Sequence, residues 1–396
     1  MKNKLLPPGL VAVLIAQFLS ALADNALLFA AIAMLKTHSA PSWQIPLLQE
    51  FFVAAFILLA PFVGPFADAY PKGRVMLLTN AIKLLGAIAM LIGLHPLVSY
   101  GLVGIGAAAY SPAKYGILSE LVSADKLVKA NSMMEGSTII AILLGTVVGG
   151  KLASSSVTTA LLAICACYVL AGVANALIPR LTAAHVLEHH TPPVLIRDFW
   201  SALATLFRDR DTRFSLLGTS VFWGSGSTLR LLLVAWVPLA LGITDLSMPA
   251  NMSGVVAIGI AFGAAGAAGL VNLDKVNRTL PAGILIGLLI IALAYTHSLY
   301  MAIALLMLIG ACGGFFVVPL NALLQQRSHA NVGAGHAVAV QNFFENCAML
   351  LLVGLYTLMD RGGVPVIRSA TIFGSVVLVA IFALAMFKLN KKSNIA

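Results

Sequence analysis

Twelve apolar segments, each about as long as a membrane-spanning helix, follow one another along the chain. A helix that crosses the hydrocarbon core of a bilayer needs about 20 mostly apolar residues. The pattern therefore predicts an all-α integral membrane protein with twelve transmembrane helices. The predicted spans are residues 10–35, 45–66, 75–94, 97–121, 130–152, 157–178, 214–241, 251–272, 280–297, 299–323, 336–358 and 365–387.

The longest polar stretch divides these spans into two sets of six. It separates a predicted N-terminal six-helix bundle, residues 1–180, from a C-terminal bundle with a short basic tail, residues 214–396. The stretch between them, residues 181–213, is predicted to be a cytoplasmic linker. Trp200 and Phe207 stand among small and basic residues there, so this linker either carries a helix that lies on the membrane surface or is an ordinary connection.

The composition agrees with a membrane protein, because 60% of the 396 residues are hydrophobic and only 10% are charged. The net charge is +10. If both termini are cytoplasmic, seventeen of the 24 lysine and arginine residues lie on that side, which is the distribution that membrane insertion favours. Topology therefore explains the positive charge, and no nucleic-acid partner is predicted.

Two charged residues interrupt apolar segments at matching places in the two halves. Asp24 lies in the first segment, and Arg230 lies in the seventh, 206 positions later. A charge at membrane depth is expensive and is tolerated mainly where it faces a partner, a substrate or water. The two residues therefore predict either a functional site or a structural salt bridge that locks the halves together.

Similar offsets recur elsewhere, so the two halves are predicted to be repeats of one another. Pro112 and Pro319 interrupt the fourth and tenth spans and are 207 positions apart. Glu135 and Glu345, each four residues after a side-chain amide, are 210 positions apart. Transporters built from two repeats bind their substrate where the repeats meet, and a cavity there is the expected substrate site.

The loop between the second and third spans resembles the signature loop of the major facilitator superfamily. Its sequence is Gly64-Pro65-Phe66-Ala67-Asp68-Ala69-Tyr70-Pro71-Lys72-Gly73-Arg74. In that superfamily the glycine permits close helix packing, the aspartate caps a neighbouring helix, and the basic residues hold a cytoplasmic gate. The resemblance implies the major facilitator fold and a gating role for Asp68, Lys72 and Arg74.

The fourth span carries a more specific resemblance. Ala107 to Leu118, Asp24-Asn25 in the first span and Gly313 to Leu323 in the tenth are similar to bacterial lysophospholipid transporters. The resemblance covers the chain apart from the linker and the tail. It implies a protein of the bacterial inner membrane that moves lysophospholipids, chiefly lysophosphatidylethanolamine, inward for reacylation by an acyltransferase/acyl-carrier synthetase on the cytoplasmic side.

The polar residues of the spans suit a zwitterionic head group. Arg230 suits a phosphate through its planar guanidinium, and Asp24 suits an ammonium as an ion-pair partner. Further predicted head-group contacts are Asn25, Tyr110, Lys114 and Asn321. A charge network nearer the cytoplasmic ends is predicted for Glu135 and Glu345, with Lys83 close in depth to Lys114.

The single acyl tail is predicted to stay in an apolar groove or partly in lipid while the head group crosses. Each methylene that leaves an apolar environment for water costs about 0.8 kcal/mol, so a wet path for the tail is excluded. The residues predicted to line the groove are Phe222, Trp223, Phe315, Phe316, Phe343 and Phe344.

The alternative function is a proton-coupled exporter of drugs or other amphiphiles. Gly136, Gly145, Gly149 and Gly150 follow the glycine spacing of a drug/proton antiporter motif, although close helix packing explains the same residues. No enzymatic activity is predicted, because the eight histidines are scattered without a catalytic partner. The four cysteines lack the spacing of a metal site, and no cofactor or metal is predicted.

Overall fold

The computed structural model describes residues 8–40, 44–179, 191–243, 247–328 and 332–389. Within these ranges the backbone forms fourteen α-helices and two short 3-10 helices, and it contains no β-strand, so the fold is all-α as predicted. The α-helices are α1 (Pro8–Thr37), α2 (Gln44–Leu58), α3 (Ala60–Ala69), α4 (Lys72–Leu91), α5 (Pro96–Leu121), α6 (Leu127–Ser155), α7 (Val157–Ala176), α8 (Pro192–Arg208), α9 (Arg210–Leu241), α10 (Ser247–Leu270), α11 (Leu280–Ala294), α12 (Leu299–Ser328), α13 (Ala334–Arg361) and α14 (Val366–Leu389).

Ten helices in the described part of the chain are long and apolar enough to cross a bilayer. α2 and α3 together make an eleventh span that is bent by 63°. The bend coincides with Pro61, which occupies the first turn of α3, where a proline is tolerated. α5 takes the place of the predicted fourth span and is 26 residues long, but it is not among the helices that qualify as spans by length and apolar composition.

The chain divides into two compact units. The first contains Met1–Leu127, Ser137–Leu206 and Ser328–Phe343, and the second contains Val128–Gly136, Phe207–Arg327 and Phe344–Ala396. The start of α6 thus belongs to the second unit and the start of α13 to the first. The six-helix boundaries at residues 180 and 214 stay a prediction, and residues 180–190 and the basic tail from residue 390 lie outside the described ranges.

In the first unit, α1, α2, α4, α5 and α7 enclose a hydrophobic core. Leu27, Met90 and Tyr168 are buried in it. Small residues let these helices approach closely: a Cβ atom at Gly106 of α5 would lie 2.7 Å from the carbonyl oxygen of Thr79 in α4. Because glycine leaves that space empty, the side chains of α4 can reach the centre of the unit.

In the second unit, the largest core lies among α9, α11, α12 and α14. Trp236 of α9 is fully buried there and donates to the carbonyl oxygen of Ala294 at 3.4 Å. Ile290, Leu306 and Phe373 fill the space around it. A smaller core contains Phe316, and a Cβ atom at Gly218 would meet the ring of that residue.

The described part of the predicted linker contains a helix, α8. Phe199, Ala202 and Leu206 form its buried face, with the three- and four-residue spacing of one side of a helix. Phe199 packs edge-on against Phe343 of α13, with 5.5 Å between the ring centroids. The neighbouring Trp200 also reaches Phe343, but it is 54% exposed. One face of the helix therefore packs on the first turns of α13.

Candidate functional site

Asp24 lies at the centre of a polar cluster in the first unit. Its Oδ2 atom is 2.6 Å from Nζ of Lys83 in α4, and its Oδ1 atom accepts a hydrogen bond from the hydroxyl of Tyr168 in α7 at 2.7 Å. Lys83 also donates to Ser20 at 3.1 Å, and its Nζ lies 4.7 Å from the ring centroid of Tyr110 in α5. Four helices therefore contribute to one charged site within an apolar bundle.

The partner of Lys83 was not predicted. The sequence placed Lys83 close in depth to Lys114, and the structure shows its ammonium in contact with Asp24. The rise per residue along a helix predicts only the depth of the Cα atom. The ammonium of a lysine lies at the end of a long, flexible side chain, so its position can differ from that of the Cα atom. Ser20 and Tyr168 were missed because neither is charged, so the apolar pattern of their helices gave no signal.

The other residues predicted around this head-group site lie in both units. Asn25 donates to the carbonyl oxygen of Ala21 within α1. Lys114 lies over the ring of Tyr115 at 4.2 Å in α5. Arg230 of α9 has an exposed side chain in the second unit, and its proximity to Asp24 stays a prediction.

A second cluster joins α3, α4 and α5 to the start of α13, all within the first unit. The backbone N–H of Gly335 donates to Oδ1 of Asp68 at 2.8 Å, and the N–H of His336 donates to Oδ2 at 3.0 Å. Nδ1 of His336 lies 2.8 Å from the same Oδ2 atom. Asp68 is therefore the N-terminal cap of α13, where a carboxylate satisfies free N–H groups and complements the helix dipole.

Lys72 connects this cap to α5. Its Nζ atom lies 3.3 Å from Asp68 and 2.7 Å from Glu120, and its side chain is almost fully buried. Glycines on both sides make room: a Cβ atom at Gly116 would lie 2.8 Å from Cε of Lys72, and one at Gly64 would lie 2.8 Å from Cα of His336. The loop signature thus forms a packed ionic cluster at the start of α13.

Arg74 was predicted to belong to this cluster, whereas His336 and Glu120 were not. Arg74 has an exposed side chain, and no ion pair to another described residue supports the gating role predicted for it. Glu120 contacts Lys72, 48 positions earlier in the chain, and His336 contacts Asp68, 268 positions earlier, so the spacing of the sequence gave no signal for either contact.

In the second unit, the start of α6 is held by side-chain amides. Asn131 and Gln325 of α12 exchange two hydrogen bonds of 2.9 Å, and both are buried. Asn321 donates to Glu135 at 3.3 Å. Two of the predicted polar residues, Asn321 and Glu135, are therefore brought together. Glu345 is also buried in this unit.

The second unit has an ionic cluster of its own that sequence reasoning missed. Asp211 at the start of α9 pairs with Arg327 at the end of α12 at 2.6 Å, and also with Lys388 at the end of α14. All three lie at helix ends, where charges are ordinary, so the sequence did not distinguish them. The pairs bring three helix ends of the unit together.

The six aromatic residues predicted for the tail groove have different surroundings. Phe316 is fully buried in the core next to Phe214, so it lines no open groove, and this prediction is wrong for Phe316. Phe222 and Trp223 form an edge-to-face pair in α9, with the ring of Phe222 against Gly313. The other three aromatic residues are half-buried. Phe315 lies beside Gly266. Phe343 packs against Phe199 and Trp200, and Phe344 packs against Phe207.

The glycines of the predicted antiporter motif pack closely where α6 meets α1. A Cβ atom at Gly145 would lie 2.5 Å from the carbonyl oxygen of Leu22, and one at Gly149 would clash with Ala26. Gly136 has nothing within 4 Å of the corresponding position. Close helix packing, two residues on either side of Asp24, therefore accounts for two of the four glycines without a coupling function.

Comparison with known proteins gives the family. The family model described as Major Facilitator Superfamily matches residues 13–353. Proteins named lysophospholipid transporter LplT from Citrobacter koseri and Klebsiella pneumoniae are each 56% identical to this chain over 376 residues. The alignments cover 95% of this chain, and 94% and 95% of the two relatives. The chain belongs to the LplT family of the major facilitator superfamily. An Escherichia coli protein of the same name is 55% identical over the same share of both chains.

Solved structures of more distant relatives have the same fold. The fucose:proton symporter FucP of E. coli is similar with a TM-score of 0.76 and 12% sequence identity, over 96% of this chain and 98% of that one. A bacterial homologue of the iron transporter ferroportin in an outward-facing state has a TM-score of 0.76 and 15% identity, over 98% and 100% of the two chains. The chain is therefore a multi-pass membrane protein with the major facilitator fold.

Proposed function

We propose that this protein transports lysophospholipids, including lysophosphatidylethanolamine, from the outer to the inner leaflet of the bacterial inner membrane. The observation that carries the substrate class is the 56% identity to proteins named lysophospholipid transporter LplT over 95% of the chain. The charged cluster at Asp24 supports it, because an apolar bundle retains ionised groups where they serve a polar ligand.

The head group is recognised by Asp24 and Arg230, one from each half of the sequence. The Asp24 carboxylate is a partner for the ammonium of the head group, and it is 15% exposed. The guanidinium of Arg230 is exposed on α9 and suits the phosphate, since its planar fork forms paired hydrogen bonds. Asn25, Tyr110, Lys114 and Asn321 are the proposed polar neighbours along the path.

Transport proceeds by alternating access, and the Asp68 cluster is the proposed cytoplasmic gate. The hydrogen bonds from Gly335 and His336 to Asp68 tie the start of α13 to α3, and Lys72 extends the cluster to α5. Opening toward the cytoplasm requires these bonds to break. Glu135 and Glu345 belong to the proposed charge network nearer that surface, and facilitated diffusion down the lipid gradient is the proposed driving force.

The acyl tail stays in contact with apolar side chains while the head group crosses. Phe222 and Trp223 of α9, together with Phe315 of α12, are half-buried residues of the second unit that suit this role. Phe343 and Phe344 contact the aromatic residues of α8 and suit the cytoplasmic end of the path. Keeping about 16 methylenes out of water, at ~0.8 kcal/mol each, is the physical reason for such a groove.

The cellular setting follows from the same proposal. Both chain termini are cytoplasmic, which gives the basic loops the side that insertion favours. The product, a lysophospholipid in the inner leaflet, is a substrate for reacylation, so an acyltransferase/acyl-carrier synthetase on the cytoplasmic side is the proposed functional partner.

The test is transport of labelled lysophosphatidylethanolamine by vesicles that contain Asp24→Ala or Arg230→Ala. At equal amounts of inserted protein, both variants are expected to lose most of the activity, because each removes one charged hydrogen-bonding partner of the head group. Asp274→Ala and Arg278→Ala are matched controls, since both residues are exposed in the loop between α10 and α11. Wild-type rates in the two site variants would refute the head-group assignment.

A further inference from the structure

Lys83 is the cation that touches Asp24, although the proposed head-group site gives it no contact with substrate. Its ammonium lies 2.6 Å from Asp24 and 3.1 Å from the hydroxyl of Ser20. The face of the Tyr110 ring is the third neighbour, with its centroid 4.7 Å away. A lysine ammonium has three N–H donors, and these three neighbours account for all of them.

The two members of the ion pair differ in solvent exposure. The Lys83 side chain is 3% exposed, whereas the Asp24 side chain is 15% exposed. A phosphate oxygen therefore has no open approach to the ammonium of Lys83 in this arrangement. The carboxylate of Asp24 does have an accessible edge.

Asp24 keeps hydrogen-bonding capacity after its internal partners are counted. Lys83 donates to Oδ2 and Tyr168 donates to Oδ1 at 2.7 Å. A carboxylate offers about four acceptor sites, so each oxygen retains capacity for another donor. The two internal donors, one from α4 and one from α7, also fix the direction of the carboxylate.

We propose that Lys83 is a positioning residue, which together with Tyr168 holds the Asp24 carboxylate in place and aimed at the head group. The inference rests on the proposed lysophospholipid transport and assigns different roles to Asp24 and Lys83. Asp24 accepts hydrogen bonds from an ammonium or hydroxyl group of the head group, and Lys83 remains bound behind it. Lys83 is the ion-pair partner of Asp24 when the site is empty.

The alternative is an ion pair that only fastens α1 to α4. Removing one partner of a buried pair is destabilising in either case, so a single deletion does not separate the two roles. Exchanging the charges does. In the double variant Asp24→Lys with Lys83→Asp, the ion pair is retained, but the carboxylate moves from α1 to α4.

The experiment measures KM and kcat for labelled lysophosphatidylethanolamine in vesicles, with insertion and thermal stability of each variant checked alongside. Lys83→Met is expected to raise KM about tenfold or more, the scale of one charged hydrogen bond, and Lys83→Arg to restore most of the loss. The exchanged double variant is expected to insert at wild-type levels without transport. Tyr168→Phe, which removes only one hydroxyl, is expected to raise KM severalfold with kcat nearly unchanged.

The outcomes separate this inference from the function on which it rests. If wild-type protein does not transport the lipid, the proposed function fails. If wild-type protein transports it and either the exchanged double variant or Tyr168→Phe has wild-type KM and kcat, the positioning role is refuted. The Tyr168→Phe result decides the matter even if the charge variants do not fold.

Discussion

The carboxylate of Asp68 caps the first turn of α13, where the backbone N–H of Gly335 donates to its Oδ1 atom at 2.8 Å. The two residues are 267 positions apart in the chain. A cap of this kind is reversible, since the N–H groups released from the carboxylate can bind water instead. It therefore suits the proposed gate, in which the start of α13 is held in one state of the transport cycle and released in another.

Removing the cap should loosen the start of α13. An N-terminal cap contributes about 0.5–2 kcal/mol, so Asp68→Ala should increase local opening of this segment by about two- to thirtyfold. Hydrogen–deuterium exchange of the peptides that cover residues 334–343 measures that opening. Asp274→Ala, in the exposed loop after α10, is the control and should leave the exchange unchanged. Equal protection in both variants would show that Asp68 does not hold α13.

A methyl group at Gly64 should disturb the same contact. The new Cβ would lie 2.8 Å from Cα of His336 and 3.1 Å from Cβ of Ala339, and overpacking of this kind costs about 1–3 kcal/mol. Gly64→Ala should lower the thermal midpoint in detergent and reduce transport. Gly269→Ala is the matched control, because nothing lies within 4 Å of its Cβ position. Unchanged stability of Gly64→Ala would contradict the packing described for α3 and α13.

Lys72 should be more important for stability than an exposed lysine. Lys72→Met leaves Asp68 and Glu120 without their common cation. Breaking a buried ion pair by removing one partner costs about 3–5 kcal/mol, so the variant should unfold at a clearly lower temperature. Lys275→Met, in the exposed loop after α10, should behave as wild type. A small effect at both positions would mean that water replaces Lys72 between the carboxylates.

The glycines of α6 separate helix packing from the antiporter interpretation. Gly145→Ala would place a methyl group 2.5 Å from the carbonyl oxygen of Leu22, close to Asp24, so transport should fall strongly. Gly136→Ala meets nothing within 4 Å and should keep wild-type transport. An antiporter motif would make both positions sensitive. The comparison uses the rate of lysophosphatidylethanolamine transport at equal amounts of inserted protein.

Local patterns in the sequence were sufficient for the fold. A membrane-spanning helix is recognised by a run of about 20 mostly apolar residues, and this run can be read without knowing which other helices pack against it. The described helices occur in the order of the predicted spans. The bend between α2 and α3 lies next to Pro61, but its angle of 63° depends on packing that no local pattern contains.

The candidate site was only partly predictable. Asp24 and Lys83 are conspicuous because each is a charge in an apolar helix, yet their pairing depends on how α1 and α4 pack, 59 positions apart. Tyr168 and Ser20 are common residues in membrane helices and had no signal. The family motif implied that Asp68 caps a neighbouring helix. The sequence did not show that this helix is α13, so the hydrogen bond from the N–H of His336 to Asp68 could not be predicted.

The most direct test of the account measures transbilayer movement of labelled lysophosphatidylethanolamine in vesicles that contain only the purified wild-type protein. The label is added to the outer leaflet, and the fraction that albumin can no longer extract is followed over time. The account predicts that this fraction rises faster than in protein-free vesicles and does so without an imposed pH or sodium gradient. A rate equal to that of protein-free vesicles would contradict it.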